Sequence, residues 1–294
     1  MKNKICITIA GKSNVGKSSL INFLCKSYIT SESNKLQTTR INTFHDIRHN
    51  NSEMLFIDTP GVSVLKKDLL SDFMKKSYIK SLEVADTVII LFDILSKDFN
   101  YELAIMKICD KNNIPTFLSV NKVDLMKDDV ELKEKINGFY DLLKKRIYPI
   151  SVHSQIGINN LIEDLSLVRP ISKNHFFDDF DKDHHKKIII QELIRGVINN
   201  NAYGEVPYEC AVFLENIEVG KKLIRINSTI IVNNLNQKKI IIGRSGENIK
   251  KIGMESRKLI EKIYLRKVYI ELFVDVTENW KNNINILKKI GFGA

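Results

Sequence analysis

Eight residues near the start of the chain, Gly11-Lys12-Ser13-Asn14-Val15-Gly16-Lys17-Ser18, follow the pattern G-x-x-x-x-G-K-[ST]. Glycines at this spacing let backbone N–H groups curl around phosphates, with a helix N-terminus behind them. The expected phosphate loop runs from Gly11 to Ser19, with Lys17 on the β and γ phosphates and Ser18 on Mg²⁺. Forty residues on, Asp58-Thr59-Pro60-Gly61 ends the apolar run Met54–Ile57. Asp58 is placed to hold the same Mg²⁺ through water, and the Gly61 N–H to approach the γ phosphate. Asn121-Lys122-Val123-Asp124 ends another apolar run. A carboxylate accepts from guanine N1–H and its 2-amino group, whereas adenine offers neither donor. Asp124 therefore selects GTP over ATP, Asn121 buttresses the loop, and the stem of Lys122 covers the base.

Three further segments refine that site. Gln37-Thr38-Thr39-Arg40 lies in a polar loop where Thr39, or failing it Thr38, is placed to sense Mg²⁺ and the γ phosphate. Ser151 and Val152 follow the last strand pattern and are placed to offer a backbone N–H to guanine O6. Val62 stands after Gly61, where Ras-type GTPases carry a water-orienting Gln. An apolar side chain cannot orient water, so intrinsic hydrolysis should be slow.

Positioning these loops requires strands and helices in alternation. Strand patterns at Ile5–Ala10, Asn42–Arg48, Glu53–Ile57, Thr87–Phe92, Thr116–Val120 and Ile147–Ile150 alternate with helical ones at Lys17–Lys26, Leu69–Leu82, Glu102–Lys111, Val130–Lys145 and Ile158–Leu165. This is the α/β signature of a doubly wound, mostly parallel sheet. Residues 170–187 turn polar and charged and read as a linker, separating a nucleotide domain (1–169) from a second domain (188–294). There the order becomes helix (Ile188–Asn199), strands (Cys210–Val219, Leu223–Asn233), helices flanking Gly243–Gly246, strand (Val268–Val276) and a polar tail helix from Asn279.

The chain of 294 residues carries a net charge of +10, with 44% apolar and 27% charged residues, values that exclude collagenous and disordered classes. Residues 1–220 hold 29 basic and 29 acidic residues; residues 221–294 hold 16 and 6, so the last 74 residues carry the whole excess. Such concentration is the footprint of a phosphate-bearing partner. It surrounds Gly243-Arg244-Ser245-Gly246, with Lys250 and Lys251 beyond. A G-x-x-G turn between two apolar helices clamps about four nucleotides of single-stranded RNA in KH domains, and the order of elements fits the α+β type II KH fold. Trp280 reads as a packing anchor for the tail helix. Four scattered cysteines form no metal or disulfide framework and suit a reduced compartment. No apolar run is long enough to cross a bilayer, and the opening residues leave no room for a signal peptide.

With G-x-x-N-V-G-K-S-S-L, Q-T-T-R, D-T-P-G, N-K-V-D, Val206-Pro207-Tyr208 and I-I-I-G-R-S-G in this order, the sequence resembles the Era family of bacterial KH-domain GTPases over nearly its whole length. The resemblance implies a monomeric GTP/GDP switch that binds near the 3′ end of 16S rRNA. It further implies a part in 30S ribosomal subunit assembly, and a cytoplasmic location with loose peripheral membrane association. It also implies K⁺ held against the phosphates by Asn14. Leu36 replaces the usual Pro before Q-T-T-R, and Val152 the usual Ala. A GTPase working on another RNA or at a membrane surface is the alternative. An RNA-binding module with a dead nucleotide fold is opposed by intact Lys17, Ser18, Asp58 and Asp124.

Overall fold

Apolar residues at successive positions, rather than alternate ones, mark strands buried on both faces. The computed structural model, which describes residues 3–25, 39–50, 52–61, 67–170 and 182–292, bears this out. The first half forms β1 (Asn3–Ala10), α1 (Lys17–Leu24), β2 (Thr43–His49), β3 (Ser52–Asp58), α2 (Leu69–Glu83), β4 (Thr87–Asp93), α3 (Asn100–Lys111), β5 (Thr116–Asn121), α4 (Asp129–Leu143), β6 (Ile147–Pro149) and α5 (Ile158–Ser166). The sheet order is β2-β3-β1-β4-β5-β6. The β1–β3, β1–β4, β4–β5 and β5–β6 pairs are parallel. Ile89 and Leu91 face a core with Leu20, Ile21, Leu161 and Leu165. Val88, Ile90 and Phe92, alternating with them, face another with Ile105, Phe139 and Leu143.

The second half forms α6 (Lys182–Asn201), α7 (Val206–Glu209), β7 (Cys210–Val219), β8 (Leu223–Val232), α8 (Leu235–Ile242), α9 (Glu247–Tyr264), β9 (Lys267–Val276) and α10 (Ile284–Lys289). Its sheet runs β7-β8-β9, antiparallel then parallel. That is the expected type II KH arrangement. Helix α6 begins at Lys182, inside the stretch expected to be linker. Polarity misled there, because Lys, Asp and His are tolerated in a helix and nothing between 182 and 187 breaks one. The tail also differs from a continuous polar helix. A single 3₁₀ turn spans Trp280–Asn282, and Asn283 then caps α10 by accepting from the Asn285 and Ile286 N–H groups.

Among described residues the chain packs as two compact units that interleave in sequence. Residues 39–43 and 67–77 belong with 182–292, and the others form the first unit. Within the second unit Ile41, Leu70 and Met74 share a core with Ile188, Ile231, Trp280, Leu287, Ile290 and Phe292. Arg40 is 2% exposed. Its guanidinium donates to the carbonyls of Cys210 (2.6 Å), Tyr208 (2.8 Å) and Pro207 (3.3 Å), and its backbone N–H to Glu192 Oε2 (3.0 Å). Burial lowers its pKa to about 10, Arg195 adding to that effect and Cys210, Glu192 and Glu209 opposing it.

Trp280 is fully buried and donates Nε1–H to the Glu209 carbonyl at 3.0 Å, the packing role expected of it. Trp280→Ala should cost about 3–5 kcal/mol of stability through the cavity it leaves. Urea unfolding that shifts by less than about 1 kcal/mol would remove Trp280 from the anchors of this core.

Candidate functional site

Strand register brings the nucleotide motifs to one edge of the first sheet. Ile9 pairs with Asp58, and Asp93 with Asn121, so the loops leaving β1, β3, β4 and β5 emerge side by side at the carboxyl ends. Gly16 is the N-cap of α1, so the first N–H groups of that helix point toward the loop before it. Lys17 is buried, and its Nζ donates to the carbonyls of Gly11 (2.9 Å) and Lys12 (2.8 Å). Burial lowers this ammonium to about 8, against the opposing pull of Asp58 and Glu102. Ser18 Oγ donates to Asp58 Oδ2 at 2.9 Å. Two hard oxygen donors so placed suit Mg²⁺. Ser13 Oγ donates to the Gly61 carbonyl at 3.1 Å, joining the phosphate loop to the Asp58–Gly61 turn. Asn14 is exposed, in the left-handed region at φ 65°.

On the base side Asn121 links three loops. Its Nδ2 donates to Val15 O at 2.8 Å, and its Oδ1 accepts the Val152 N–H at 3.2 Å. Asp124 Oδ1 accepts Ser151 Oγ at 2.5 Å, and Ser151 Oγ also accepts the Ser154 N–H. Lys122 is paired with Asp93 at 2.5 Å. Sequence reasoning missed Asp93, although an acid ending β4 opposite Asn121 was a usable signal. It also missed Glu102, for which no motif speaks. Only a backbone N–H of Ser151 is expected from the sequence, yet its hydroxyl donates to the Asp124 carboxylate. Thr39 and Arg40 lie in the second unit; Gln37, Thr38, Leu36 and Val62 fall outside the described residues.

In the second unit the G-x-x-G turn joins α8 to α9. Gly243 caps α8 at φ 74°, and a Cβ there would stand 2.6 Å from Asn248 Cβ. Asn248 Nδ2 donates to the carbonyls of Ile240 (3.0 Å) and Ile241 (3.2 Å), closing the turn from the far side. Ser245 and Gly246 are both left-handed, at φ 49° and 81°. Arg244, Ser245, Lys250 and Lys251 are exposed, and Lys251 lies 4.0 Å from Glu255. A backbone so exposed, edged by cations, can approach a sugar-phosphate chain.

These features define a P-loop GTPase domain followed by a KH domain. The chain matches the family described as 50S ribosome-binding GTPase over residues 6–122, and the KH domain family over residues 205–281. It is 35% identical over 290 residues to GTPase Era of Geotalea uraniireducens, covering 97% of this chain and 96% of that protein. It is 32% identical to GTPase Era of Nitrosomonas eutropha over 287 residues, covering 97% and 96%. Among solved structures, an Aquifex aeolicus Era variant bound to GDP·AlF4⁻ has a TM-score of 0.89 at 28% identity, covering 98% of this chain and 99% of that one. Era in complex with MgGDPNP and nucleotides 1506–1542 of 16S ribosomal RNA has a TM-score of 0.88 at 28% identity, covering 99% of both chains. The chain belongs to the Era family, and it is a GTPase.

Asp124→Asn replaces one acceptor by a donor that faces the guanine 2-amino group. GTP and GDP affinity should fall by about 1.5–3 kcal/mol, while xanthine nucleotides, with a carbonyl there, should gain. Displacement assays in which ATP competes with GTP at equal concentration would overturn the base assignment.

Proposed function

We propose that this GTPase binds the 3′ end of 16S rRNA through Gly243, Arg244, Ser245, Gly246, Lys250 and Lys251, and assists assembly of the 30S ribosomal subunit. The observation that carries this reading is the likeness, over 99% of both chains, to Era holding a 16S rRNA fragment. The protein acts as a monomer, in the cytoplasm or loosely at a membrane surface. Among described residues no helix is long and apolar enough to cross a membrane. GTP or GDP occupies the loops from Gly11 to Ser19, Asp58 to Gly61, Asn121 to Asp124, and Ser151 with Val152. Ser18, Thr39 and, through water, Asp58 hold Mg²⁺. That ion neutralises charge on the phosphates, and Lys17 carries the remaining countercharge. With Val62 after Gly61, no side chain there orients the attacking water, so hydrolysis without a partner is slow.

Thr39 immediately precedes Arg40, and Arg40 is held inside the second unit by Glu192 and by the carbonyls of 207, 208 and 210. Asn14, exposed on the phosphate loop, is the ligand for K⁺.

Replacing Arg244 and Ser245 together by Asp puts two negative charges where a phosphate should sit, in a loop that tolerates them. Affinity for a single-stranded 16S 3′-end RNA should fall at least about tenfold, with GTP turnover unchanged. Native affinity in that variant would exclude the clamp and shift the basic region toward a membrane surface. Depletion that leaves 30S subunit profiles normal would confine the protein to another RNA.

The K⁺ proposal predicts faster hydrolysis in K⁺ than in Na⁺ at matched ionic strength, a difference that Asn14→Ala should erase without abolishing nucleotide binding. Equal rates in the two salts leave Asn14 only shaping the loop.

A further inference from the structure

Glu102 belongs to none of the nucleotide motifs, yet it is 2% exposed and lies against the phosphate loop from the first turn of α3. Its Oε1 accepts the backbone N–H of Lys12 at 3.0 Å. The Lys12 ammonium stands 3.9 Å from Oε2 and bonds Asp98 at 2.9 Å instead. Oε2 has no hydrogen-bond partner among described residues. Burying a carboxylate this poorly compensated costs several kcal/mol. Burial accordingly raises its pKa. A neutral side chain would serve packing alone better.

The geometry of one peptide unit supplies the reason for an acceptor here. A trans peptide points its C=O and N–H in opposite directions. With the Lys12 N–H fixed on Glu102, the Gly11 carbonyl of the same peptide points the other way, where it accepts Lys17 Nζ at 2.9 Å. The following carbonyl, Lys12 O, accepts the same ammonium at 2.8 Å. Gly11 is at φ 147°, outside the range of ordinary side chains, so its own backbone does little to choose between orientations of that peptide. An external acceptor must make the choice.

We propose that Glu102 is a positioning residue for Lys17: by holding the Lys12 N–H it sets the Gly11–Lys12 peptide, and that peptide aims the lysine into the phosphate site. Lys12 and Lys17 are thus tied to α3 as well as to α1. The inference rests on Lys17 being the phosphate-binding lysine, and it adds a residue that acts one peptide away.

The test measures GDP and GTP affinity of the full chain by displacement of a fluorescent guanine nucleotide, with thermal midpoints alongside. Glu102→Ala leaves a buried donor unpaired and should weaken both nucleotides by about tenfold. Glu102→Gln keeps an acceptor at the same reach and should stay within about threefold of the native affinity. Glu102→Asp is one methylene too short and should resemble the alanine variant, even if the latter folds poorly. Asp98→Asn, which removes only the exposed ion pair to Lys12 Nζ, should change nothing. Lys17→Ala alone tests the underlying reading, since native GTP affinity in that variant would reject Lys17 itself. The positioning role is overturned if Gln is as damaging as Ala at equal thermal midpoint. It is equally overturned if Glu102→Ala and Glu102→Asp both bind nucleotide normally.

Discussion

A guanidinium stripped of water is one of the most demanding groups a fold can enclose. Arg40 is such a group: three carbonyls around the turn from α7 into β7 take its two terminal nitrogens, while its Nε has no hydrogen-bond partner among described residues. The Glu209 carbonyl in the same turn receives the Trp280 indole N–H. The guanidinium stands 5.9 Å from the centre of the Trp280 ring, so one cation organises both the turn and the anchor of the tail. Remove the arginine and the buried carbonyls of Pro207 and Cys210 lose this donor away from water, a defect larger than the bonds themselves. The second sheet therefore begins at Cys210 on the authority of a residue 170 positions earlier in the chain.

That dependence explains which parts of the fold were legible in the sequence. Strands β1, β3, β4 and β5 announced themselves, because buried parallel strands need consecutive apolar residues and short loops, and both are local patterns; β2, Thr43–His49, is half-exposed and carries no such run. The strand–strand–helix–helix–strand run of the second unit was legible for the same reason. Membership of 39–43 and 67–77 in that unit was not. Their sequence neighbours are nucleotide loops, and the partners that capture them, Glu192, Ile231 and Trp280, lie far along the chain. Periodicity carries no information about such contacts. The tail was misread for a related reason. Its lysines and asparagines set its average character, while Leu287, Ile290 and Phe292 carry the burial.

In the nucleotide site the division falls between groups that touch the ligand and groups that hold those groups. Phosphate and base chemistry restrict the first kind to few residue types at fixed spacings, so the candidates Lys17, Ser18, Asp58 and Asp124 stand out in a bare sequence. The second kind needs only an acceptor or donor within reach. Asp93 under Lys122, Ser151 beside Asp124, and Glu102 behind the Lys12 peptide could each have arrived from many places in the fold. Asn121 belongs to both kinds, bridging Val15 and Val152 while sitting in a motif, which is why its role was foreseen.

Charge follows the same logic. The excess of basic residues after position 220 is a sum over unlike environments. Arg244, Lys250 and Lys251 are exposed beside an open backbone turn, where a cation keeps its hydration until a phosphate displaces it. Arg40 and Arg195, outside that stretch, are buried and spent on Glu192 and on carbonyls within the second unit. Counting charge along the chain located a stretch whose cations at Arg244, Lys250 and Lys251 are left solvated. It was silent about the cations that hold the unit together, since a buried arginine beside a buried glutamate adds nothing to the balance. The two roles separate only when each guanidinium is asked what solvates it.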